Sequence, residues 1–376
     1  MKNPFIYGDF VGADFFCDRE EEQKALRRDL GDAQKLFLIS PRRYGKTSLL
    51  KRVLAQLESE DFIAVYIDLY RASSLHTFLE LYCAAVAEAA ESALDKALRF
   101  VSEVLPRLRP KITVDASGTP SISIEPLLTA RDTRQLLDEA FELPATVAKR
   151  KKKNVVVVLD EFQEIMNFDG EALEKAMRSH IQGHSAVGYV FSGSKRHILE
   201  DMTHDERRAF YRIGKVMYLE KIPRTAFLPF LQQRFEAGGF AVEEGVIAHV
   251  LDIADDVPHN AQRLCHELWD DLHESRRVTL SDVDRVFVKI LGEQTPYHLQ
   301  QWDALSLNQR ALLKAVTTRG GTNLFSQEFL VHSGIGSLPT LQTSLKLLVK
   351  KGVIEKQSEG HAITDVFFRE WIRKKI

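Results

Sequence analysis

The sequence predicts an α/β core with a mostly parallel sheet, followed by a helical segment and a small C-terminal domain. Apolar, strand-like runs alternate with helical patterns as far as residue 219, and helical patterns continue alone to residue 291. Short helices and a pair of short strands follow. Because such alternation requires right-handed crossovers, the core strands should run parallel, with both faces covered and with ligands at their carboxyl ends.

The core pattern opens with a helical stretch at 18–30, a buried strand at 36–39 and a helix at 46–57. Later strands are predicted at 62–70, 155–159, 187–191 and 216–219, and later helices at 75–105, 133–148 and 170–184. Residues 106–126 contain several prolines and two alternating pieces, 112–114 and 122–124, which we interpret as a hairpin inserted into the core.

A length of 376 residues suits two or three domains. We expect the core to span residues 1–222, with the insertion at about 106–126, an all-helical domain to span 223–294 with one of its patterns broken by Pro258, and a C-terminal domain to span 295–376. In that last domain the pattern predicts helices at 307–318, 326–332 and 339–351, and strands at 354–356 and 362–364.

The composition is typical of a soluble protein, with 44% hydrophobic and 28% charged residues. A net charge of -2 gives no overall argument for a nucleic-acid partner. The three cysteines lack the paired spacing of a zinc site or a disulfide framework. With no signal peptide and no apolar run of about 20 residues, we expect a cytoplasmic protein without membrane contact.

A phosphate-binding loop is predicted between the first strand and the next helix. Residues Ser40-Pro41-Arg42-Arg43-Tyr44-Gly45-Lys46-Thr47 match the P-loop pattern, except that Ser40 replaces its first glycine, and Ser48 follows. Gly45 allows the backbone to approach the phosphates, Lys46 should bridge the outer phosphates, and Thr47 should ligate Mg²⁺. Arg42 and Arg43 either contact phosphates or brace the loop through ion pairs.

Two carboxylates end the buried strand at 155–159. Asp160 is placed to hold Mg²⁺ through water, and Glu161 can polarise the water that attacks the terminal phosphate. Ser192 and Ser194 end the next strand, where a hydroxyl would lie near that phosphate. Such a hydroxyl could sense the loss of the phosphate, a role that we assign to Ser194, although a plain turn is an almost equally good interpretation of either serine. The basic run at 149–153 is interpreted as a solvated loop.

These residues resemble the archaeal-type ATPase family, a branch of P-loop proteins close to the AAA+ and STAND ATPases. The resemblance covers most of the chain and rests on the loop and on four further elements. They are Asn3-Pro-Phe, Phe15-Phe-Cys-Asp-Arg19-Glu, Leu159-Asp-Glu-Phe-Gln163 and Ser192-Gly-Ser194. It implies ATP as the nucleotide, a P-loop ATPase core, a helical lid and a C-terminal winged-helix domain.

The resemblance also implies a second sensor in a lid helix, within residues 256–263, where the family's glycine is missing. Arg263, His259 and Gln262 are the candidates, and Arg263 is included among the ATP-binding residues. Arg207, Arg208 and Arg212 precede the last core strand, where related ATPases present an arginine finger to a neighbouring subunit. A surface role for these arginines is the competing interpretation.

The C-terminal domain is basic although the chain is not. Residues 303–376 contain eleven Lys and Arg against six Asp and Glu, a net charge of +5. Residues 326–351 have a helix-turn-helix pattern in which Thr340, Gln342, Thr343 and Lys346 could face DNA. Winged helices also serve as protein-interaction modules, so DNA, a protein partner and a second copy of the chain all stay open.

The main functional hypothesis is a slow or partner-stimulated ATPase that acts as a switch through its winged helix. The alternative is a DNA-binding regulator in which ATP is mainly a structural or regulatory ligand. A nucleotide kinase is a weaker alternative, because neither the Asp160-Glu161 pair nor the winged helix suits it.

Overall fold

The computed structural model describes residues 2–8, 16–91, 96–97, 99, 102–103, 108–114, 120–126, 132–168, 170–357 and 360–376, with residues 108–114, 120–126 and 132–133 described by their backbone alone. The chain forms two compact units, one built from Asp9–Ile222 and one from Met1–Gly8 together with Pro223–Ile376.

The first unit is an α/β core. Its strands are β1 (Lys35–Ile39), β2 (Ile63–Asp68), β3 (Leu108–Val114), β4 (Pro120–Pro126), β5 (Val155–Asp160), β6 (Val187–Gly193) and β7 (Lys215–Tyr218). Five of them form one parallel sheet in the order β2-β5-β6-β1-β7. The predicted parallel sheet is therefore confirmed, and the strand ends at Ile39, Asp160 and Gly193 meet at one edge.

Helices cover both faces of this sheet. They are α1 (Glu20–Gly31), α2 (Lys46–Ser59), α3 (Leu75–Ala90), α4 (Asp132–Lys151), α5 (Gly170–Ile181) and α6 (Arg196–His204). Alternate residues of β5 point to opposite faces, so Val156 and Val158 pack with α1 and α2, whereas Val157 and Leu159 pack with α3, α4 and α5. Residues of β5 are therefore buried on both faces of the sheet, as its continuous apolar run requires.

Two local predictions in the core meet different outcomes. The predicted hairpin is confirmed, because β3 and β4 pair antiparallel. The predicted helix at 75–105 is interrupted, since α3 ends at Ala90 and Glu91 is extended, whereas residues 96–97, 99 and 102–103 are again helical. A capping box of Ser74 and Thr77 fixes the start of α3.

The second unit begins with four helices, α7 (Arg224–Ala237), α8 (Val246–Ala254), α9 (Pro258–Asp271) and α10 (Leu280–Asp303). The prediction of an all-helical segment is wrong in detail, because the short strands β8 (Ala241–Val242) and β9 (Arg277–Val278) pair in parallel. Two-residue strands leave no periodic signal. Pro258 breaks the helical pattern as predicted, because one helix ends at Ala254 and α9 begins at Pro258, a position that suits a residue without an N–H.

Residues 2–8 pack on these helices. Phe5 is buried against Phe235 and Trp269, with ring centroids 4.6 and 5.9 Å away. The Asn3 side-chain amide donates to the Asp270 carboxylate at 2.8 Å. This N-terminal segment is thus an integral part of the second unit.

The C-terminal part consists of α11 (Leu307–Arg319), α12 (Gln327–Ser333), α13 (Leu338–Lys350), an antiparallel pair β10 (Ile354–Gln357) and β11 (Gly360–Ile363), and α14 (Val366–Lys375). This order of helices and strands is that of a winged helix. The expected boundary at 294/295 falls inside α10, which continues through Pro296 to Asp303. Part of the predicted turn, residues 358–359, lies outside the described residues.

Candidate functional site

The predicted phosphate loop connects β1 to α2 at the carboxyl edge of the sheet. Gly45 has a φ of 87°, a left-handed conformation that favours glycine, and it directly precedes α2. Ser40 is fully buried and does not take a positive φ, so the backbone here does not require the glycine of the usual pattern. Its main-chain N–H donates to the Gly193 carbonyl at 3.2 Å, which ties the loop to β6.

Lys46 and Asp160 form the centre of the site. Lys46 Nζ forms a salt bridge with Asp160 Oδ1. Both residues are nearly buried, with 6% and 2% of their surface exposed. The Thr47 hydroxyl donates to Asp160 Oδ2 at 2.9 Å. The first two residues of α2 therefore contact the carboxylate that ends β5, which brings the P-loop and the acidic strand end together.

Glu161 and the two serines of β6 complete this network. Lys46 Nζ lies 3.1 Å from Glu161 Oε1, and the Ser194 hydroxyl donates to Glu161 Oε2 at 2.8 Å. The Ser192 hydroxyl donates to Asp160 Oδ1 and lies 3.3 Å from Lys46 Nζ. The two serines thus divide between the two carboxylates, with Ser194 next to the predicted catalytic glutamate.

The charges in this network hold both carboxyl groups ionised. Burial alone would raise the pKa of Asp160, but the Lys46 ammonium and hydrogen bonds from Ser192 and Tyr66 outweigh it and hold the pKa at about 2. Burial likewise opposes ionisation of Glu161, but Lys46, Gln163 and Ser194 lower the pKa of this group below its usual value. Glu161 is consequently a carboxylate that can accept a proton or a hydrogen bond at neutral pH.

The sequence analysis did not identify two residues of this site, Tyr66 and Gln163. The Tyr66 hydroxyl donates to Asp160 Oδ2 at 2.8 Å, and the Gln163 side-chain amide donates to Glu161 Oε2. Gln163 lies so close to β6 that a Cβ on Gly193 would come 2.0 Å from Gln163 Oε1. A side chain in the middle of the Ser-Gly-Ser strand end would therefore require Gln163 to move.

The oxygen atoms of Thr47 and Asp160 suit a magnesium ion. Hydroxyl and carboxylate oxygens are the ligands that Mg²⁺ takes from proteins, with water and phosphate oxygens completing its coordination. Here both groups meet within 2.9 Å at the start of α2. Among the described residues, no group of three or more His, Cys, Asp or Glu side chains is arranged to hold a metal.

The remaining loop residues separate into buried and exposed ones. Tyr44 and Ser48 are buried, Pro41 is half-buried, and Arg42 and Arg43 are exposed. Arg43 has a φ of 71°, so the left-handed turn of the loop begins before Gly45. Both arginine side chains are accessible to a ligand.

Two of the three arginine-finger candidates are engaged in ion pairs within the core. Arg208 Nε lies 3.1 Å from the buried Glu174 carboxylate, and Arg207 Nη2 lies 2.7 Å from Asp205 Oδ2. The Arg212 guanidinium lies 4.9 Å from the Tyr211 ring centroid. These contacts favour a structural role for Arg208, because removing it would leave the Glu174 charge buried.

The second-sensor candidates lie on α9 in the other unit. The Arg263 guanidinium lies 5.8 Å from the Tyr7 ring centroid and 5.4 Å from that of Phe367. The His259 ring contacts Tyr7 edge-on at 5.9 Å, and Gln262 is buried. Arg263 therefore packs between an aromatic residue of the N-terminal segment and one of α14.

The DNA-binding candidates lie on or beside α13. Gln342, Thr343, Lys346 and Lys350 are exposed, whereas Leu341, Leu345 and Leu348 are buried against the domain. Thr340 contacts the Ser337 hydroxyl at 2.8 Å, at the start of the helix. The helix is thus amphipathic, with its polar face towards solvent.

Comparison with protein families gives two matches. Residues 16–212 match the model of a family of ATPase domains found predominantly in Archaea. Residues 297–374 match the model of a winged-helix domain. None of the curated proteins matches this sequence.

Several solved structures share the fold. A Walker-type ATPase of Pyrococcus abyssi is 18% identical with a TM-score of 0.70, over 98% of this chain and 99% of that chain. The ORC2 protein of Aeropyrum pernix, in ADPNP and ADP complexes, is 14% identical with a TM-score of 0.58, over 100% and 98%. The ORC1 protein of Aeropyrum pernix in complex with DNA is 14% identical with a TM-score of 0.53, over 96% and 95%.

At these identities the similarity to solved structures shows the fold alone, and the second family model adds the C-terminal winged helix. Within the part of the chain that the structure describes, no helix combines the length and hydrophobicity needed to cross a membrane.

Proposed function

Because this chain belongs to the family of ATPase domains found predominantly in Archaea, we propose that it binds ATP with Mg²⁺ and hydrolyses the terminal phosphate anhydride. The observation that carries the proposal is the contact of one lysine with two carboxylates. Lys46 Nζ forms a salt bridge with Asp160 and lies 3.1 Å from Glu161 Oε1, at the carboxyl edge of a parallel sheet. This edge is where ligands bind in such folds.

Phosphate binding is assigned to the loop from Ser40 to Ser48. Main-chain N–H groups at the start of α2 and the positive end of its helix dipole attract the phosphates. The Lys46 ammonium is attracted to the outer phosphates, which compete with Asp160 and Glu161 for it. Thr47 and Asp160 would hold Mg²⁺, which neutralises phosphate charge when it is bound.

Glu161 is the proposed general base. Its carboxylate is ionised in the free protein, and it would accept a proton from the water that attacks the terminal phosphate. Lys46 lowers the pKa of Glu161, so transfer of the ammonium to the nucleotide would make the carboxylate a stronger base. Ser194 and Gln163 hold the second oxygen of Glu161 and thereby orient it.

We propose further that the nucleotide acts as a switch. ATP binding and hydrolysis would change the arrangement of core, lid and winged helix, and the winged helix would transmit this change to a partner. A protein or a second copy of the chain could be that partner. We expect turnover to be slow without it, and the lid residue Arg263 is proposed to respond to the bound nucleotide.

The first test measures phosphate release from ATP and GTP in the presence of Mg²⁺. Lys46→Ala and Glu161→Gln should each lower the rate at least about 100-fold, whereas ATP should still bind to Glu161→Gln. Exposed residues provide matched controls, Lys149→Ala and Glu171→Gln, which should keep wild-type rates. If the wild-type protein binds ATP but does not hydrolyse it, even when partners are added, the assignment of Glu161 as general base is wrong.

A second candidate function is DNA binding through residues 326–351. It is favoured by the exposed polar face of α13 and by the basic composition of residues 303–376. In this case ATP would be a structural or regulatory ligand. Affinity for duplex DNA that falls steeply with salt and changes between ATP and ADP would support it. Affinity that is absent at low salt would favour a protein partner instead.

A further inference from the structure

We propose that Tyr66 is a positioning residue for the divalent cation, which holds one oxygen of Asp160 in the orientation that Mg²⁺ binding requires. The inference rests on the proposed function, since it concerns the cation that accompanies ATP. Its basis is the arrangement of hydrogen bonds around a single carboxylate, including one that comes from a neighbouring strand.

The register of the sheet brings Tyr66 to this carboxylate. Strand β2 runs parallel to β5, and Asp68 is paired with Asp160, so Tyr66 lies two residues before the end of its strand on the same face of the sheet as Asp160. This face is covered by α2, whose second residue is Thr47. Tyr66 and Thr47 therefore reach Asp160 from different elements.

Both hydroxyls bind the same atom. Asp160 Oδ2 accepts from Tyr66 at 2.8 Å and from Thr47 at 2.9 Å. The other oxygen, Oδ1, accepts hydrogen bonds from Lys46 Nζ, from the Ser192 hydroxyl and, at 2.9 Å, from the Glu161 main-chain N–H. Among the described residues, the two oxygens thus have separate sets of partners.

Nucleotide binding would affect these partners differently. Under the proposed function, Thr47 would turn to the cation and Lys46 to the phosphates. Tyr66 belongs to neither group, so its bond to Oδ2 remains and fixes the direction in which the free lone pair of that oxygen points. Residues that orient a metal ligand in this way typically change metal affinity 10- to 100-fold, by order of magnitude, when they are removed.

The Tyr66 ring is itself held in place. It packs on the cluster of apolar residues between the sheet and α2. Lys51 belongs to α2, and its ammonium lies 5.5 Å from the Tyr66 ring centroid. Because the ring is fixed, Tyr66→Phe removes one oxygen atom and leaves the packing in place.

The test measures ATP affinity of the full-length protein by calorimetry, as a function of Mg²⁺ concentration and in EDTA. The variants are Tyr66→Phe and, as a matched control, Tyr70→Phe, whose side chain is 71% exposed. In EDTA all three proteins should bind ATP equally. The Mg²⁺ concentration that half-saturates the gain in affinity should rise about 10-fold in Tyr66→Phe and stay unchanged in Tyr70→Phe.

Any other result would contradict either the positioning role of Tyr66 or the proposed ATPase function. A Tyr66→Phe curve that coincides with wild type overturns the positioning role and leaves the ATPase proposal intact. Weaker ATP binding of Tyr66→Phe in EDTA overturns it too, because Tyr66 would then support the phosphate loop and not the cation. Wild-type protein whose ATP binding is absent or independent of Mg²⁺ would contradict the proposed function itself.

Discussion

The proposed nucleotide site and helix α13 of the winged helix both carry lysines to which we assign a role, but the surroundings of these lysines differ. Lys46 is almost completely buried and contacts two carboxylates, whereas Lys346 and Lys350 on α13 are exposed. Buried charges are tolerated because they satisfy each other, so the geometry of the site exists before a ligand arrives. Exposed charges are solvated and need no partner, so the positions of the lysine side chains on α13 are not fixed before a ligand binds.

The largest difference between the two regions is expected in the free energy of unfolding when a lysine charge is removed. Lys46→Met should lower the free energy of unfolding by about 3 to 5 kcal/mol, because the buried Asp160 and the half-buried Glu161 would lose their counter-charge. Lys346→Met removes the same charge from an exposed position and should change it by less than about 0.5 kcal/mol. Urea unfolding of the nucleotide-free proteins measures both. Equal effects of the two substitutions would mean that the buried network does not stabilise the fold.

Acid should abolish part of this stabilisation. The pKa of Asp160 is about 2 in the folded protein against 3.8 ordinarily, so its contribution is complete above about pH 5 and is lost progressively as the pH falls through 2. This contribution amounts to about 2 kcal/mol. The stability difference between wild type and Asp160→Asn should therefore shrink between about pH 6 and about pH 3. A difference that stays constant over this range would show that the pKa of Asp160 is not lowered.

Gly193 tests how closely the site is packed. A Cβ at this position would lie 2.0 Å from Gln163 Oε1 and 2.8 Å from Leu199 Cδ1. Gly193→Ala should therefore lower the free energy of unfolding by at least about 1 kcal/mol and move Gln163 off Glu161. Gly336, just before α13, has no atom within 4 Å of the corresponding position. Gly336→Ala should leave stability nearly unchanged, and a similar loss in both variants would contradict the packing argument.

The smallest stability effect is expected on helix α13. Lys346→Glu and Lys350→Glu should change the free energy of unfolding by less than about 0.5 kcal/mol. If DNA is the partner, each should reduce the salt dependence of the binding constant by about one ion, measured by fluorescence anisotropy at several salt concentrations. Lys149→Glu, an exposed substitution in the core, is the control. An unchanged salt dependence in both α13 variants would exclude this face as the DNA contact.

Elements with strong periodic patterns could be predicted from the sequence. Strand β5 is a continuous apolar run that ends in two carboxylates, and α2 follows a recognisable loop. The short strands β8 and β9 could not be predicted, because two residues carry no period. The passage of α10 through Pro296 could not be predicted either, since proline normally indicates a helix boundary.

For the site, sequence reasoning identified the residues that belong to local motifs. Lys46, Thr47, Asp160 and Glu161 come together as their motifs imply. Tyr66 was missed because a tyrosine in an apolar strand usually indicates packing, and its contact with Asp160 depends on the pairing of β2 with β5. Gln163 was quoted as part of a motif, but its contact with Glu161 depends on the turn after β5, where Glu161 takes a φ of 53°.

The packing of residues 2–8 on the lid helices has a consequence for synthesis of the protein. The ATPase core, Asp9–Ile222, is inserted between two parts of one unit, so the chain crosses between units at both ends of the core. On the ribosome the core can fold once Ile222 has emerged, whereas Phe5 must wait for the helices that carry Phe235 and Trp269. At translation rates of about 5 to 20 residues per second, that wait lasts several seconds. During this interval Phe5 lacks the two aromatic partners that bury it in the folded protein, so the last step of folding is the docking of this segment.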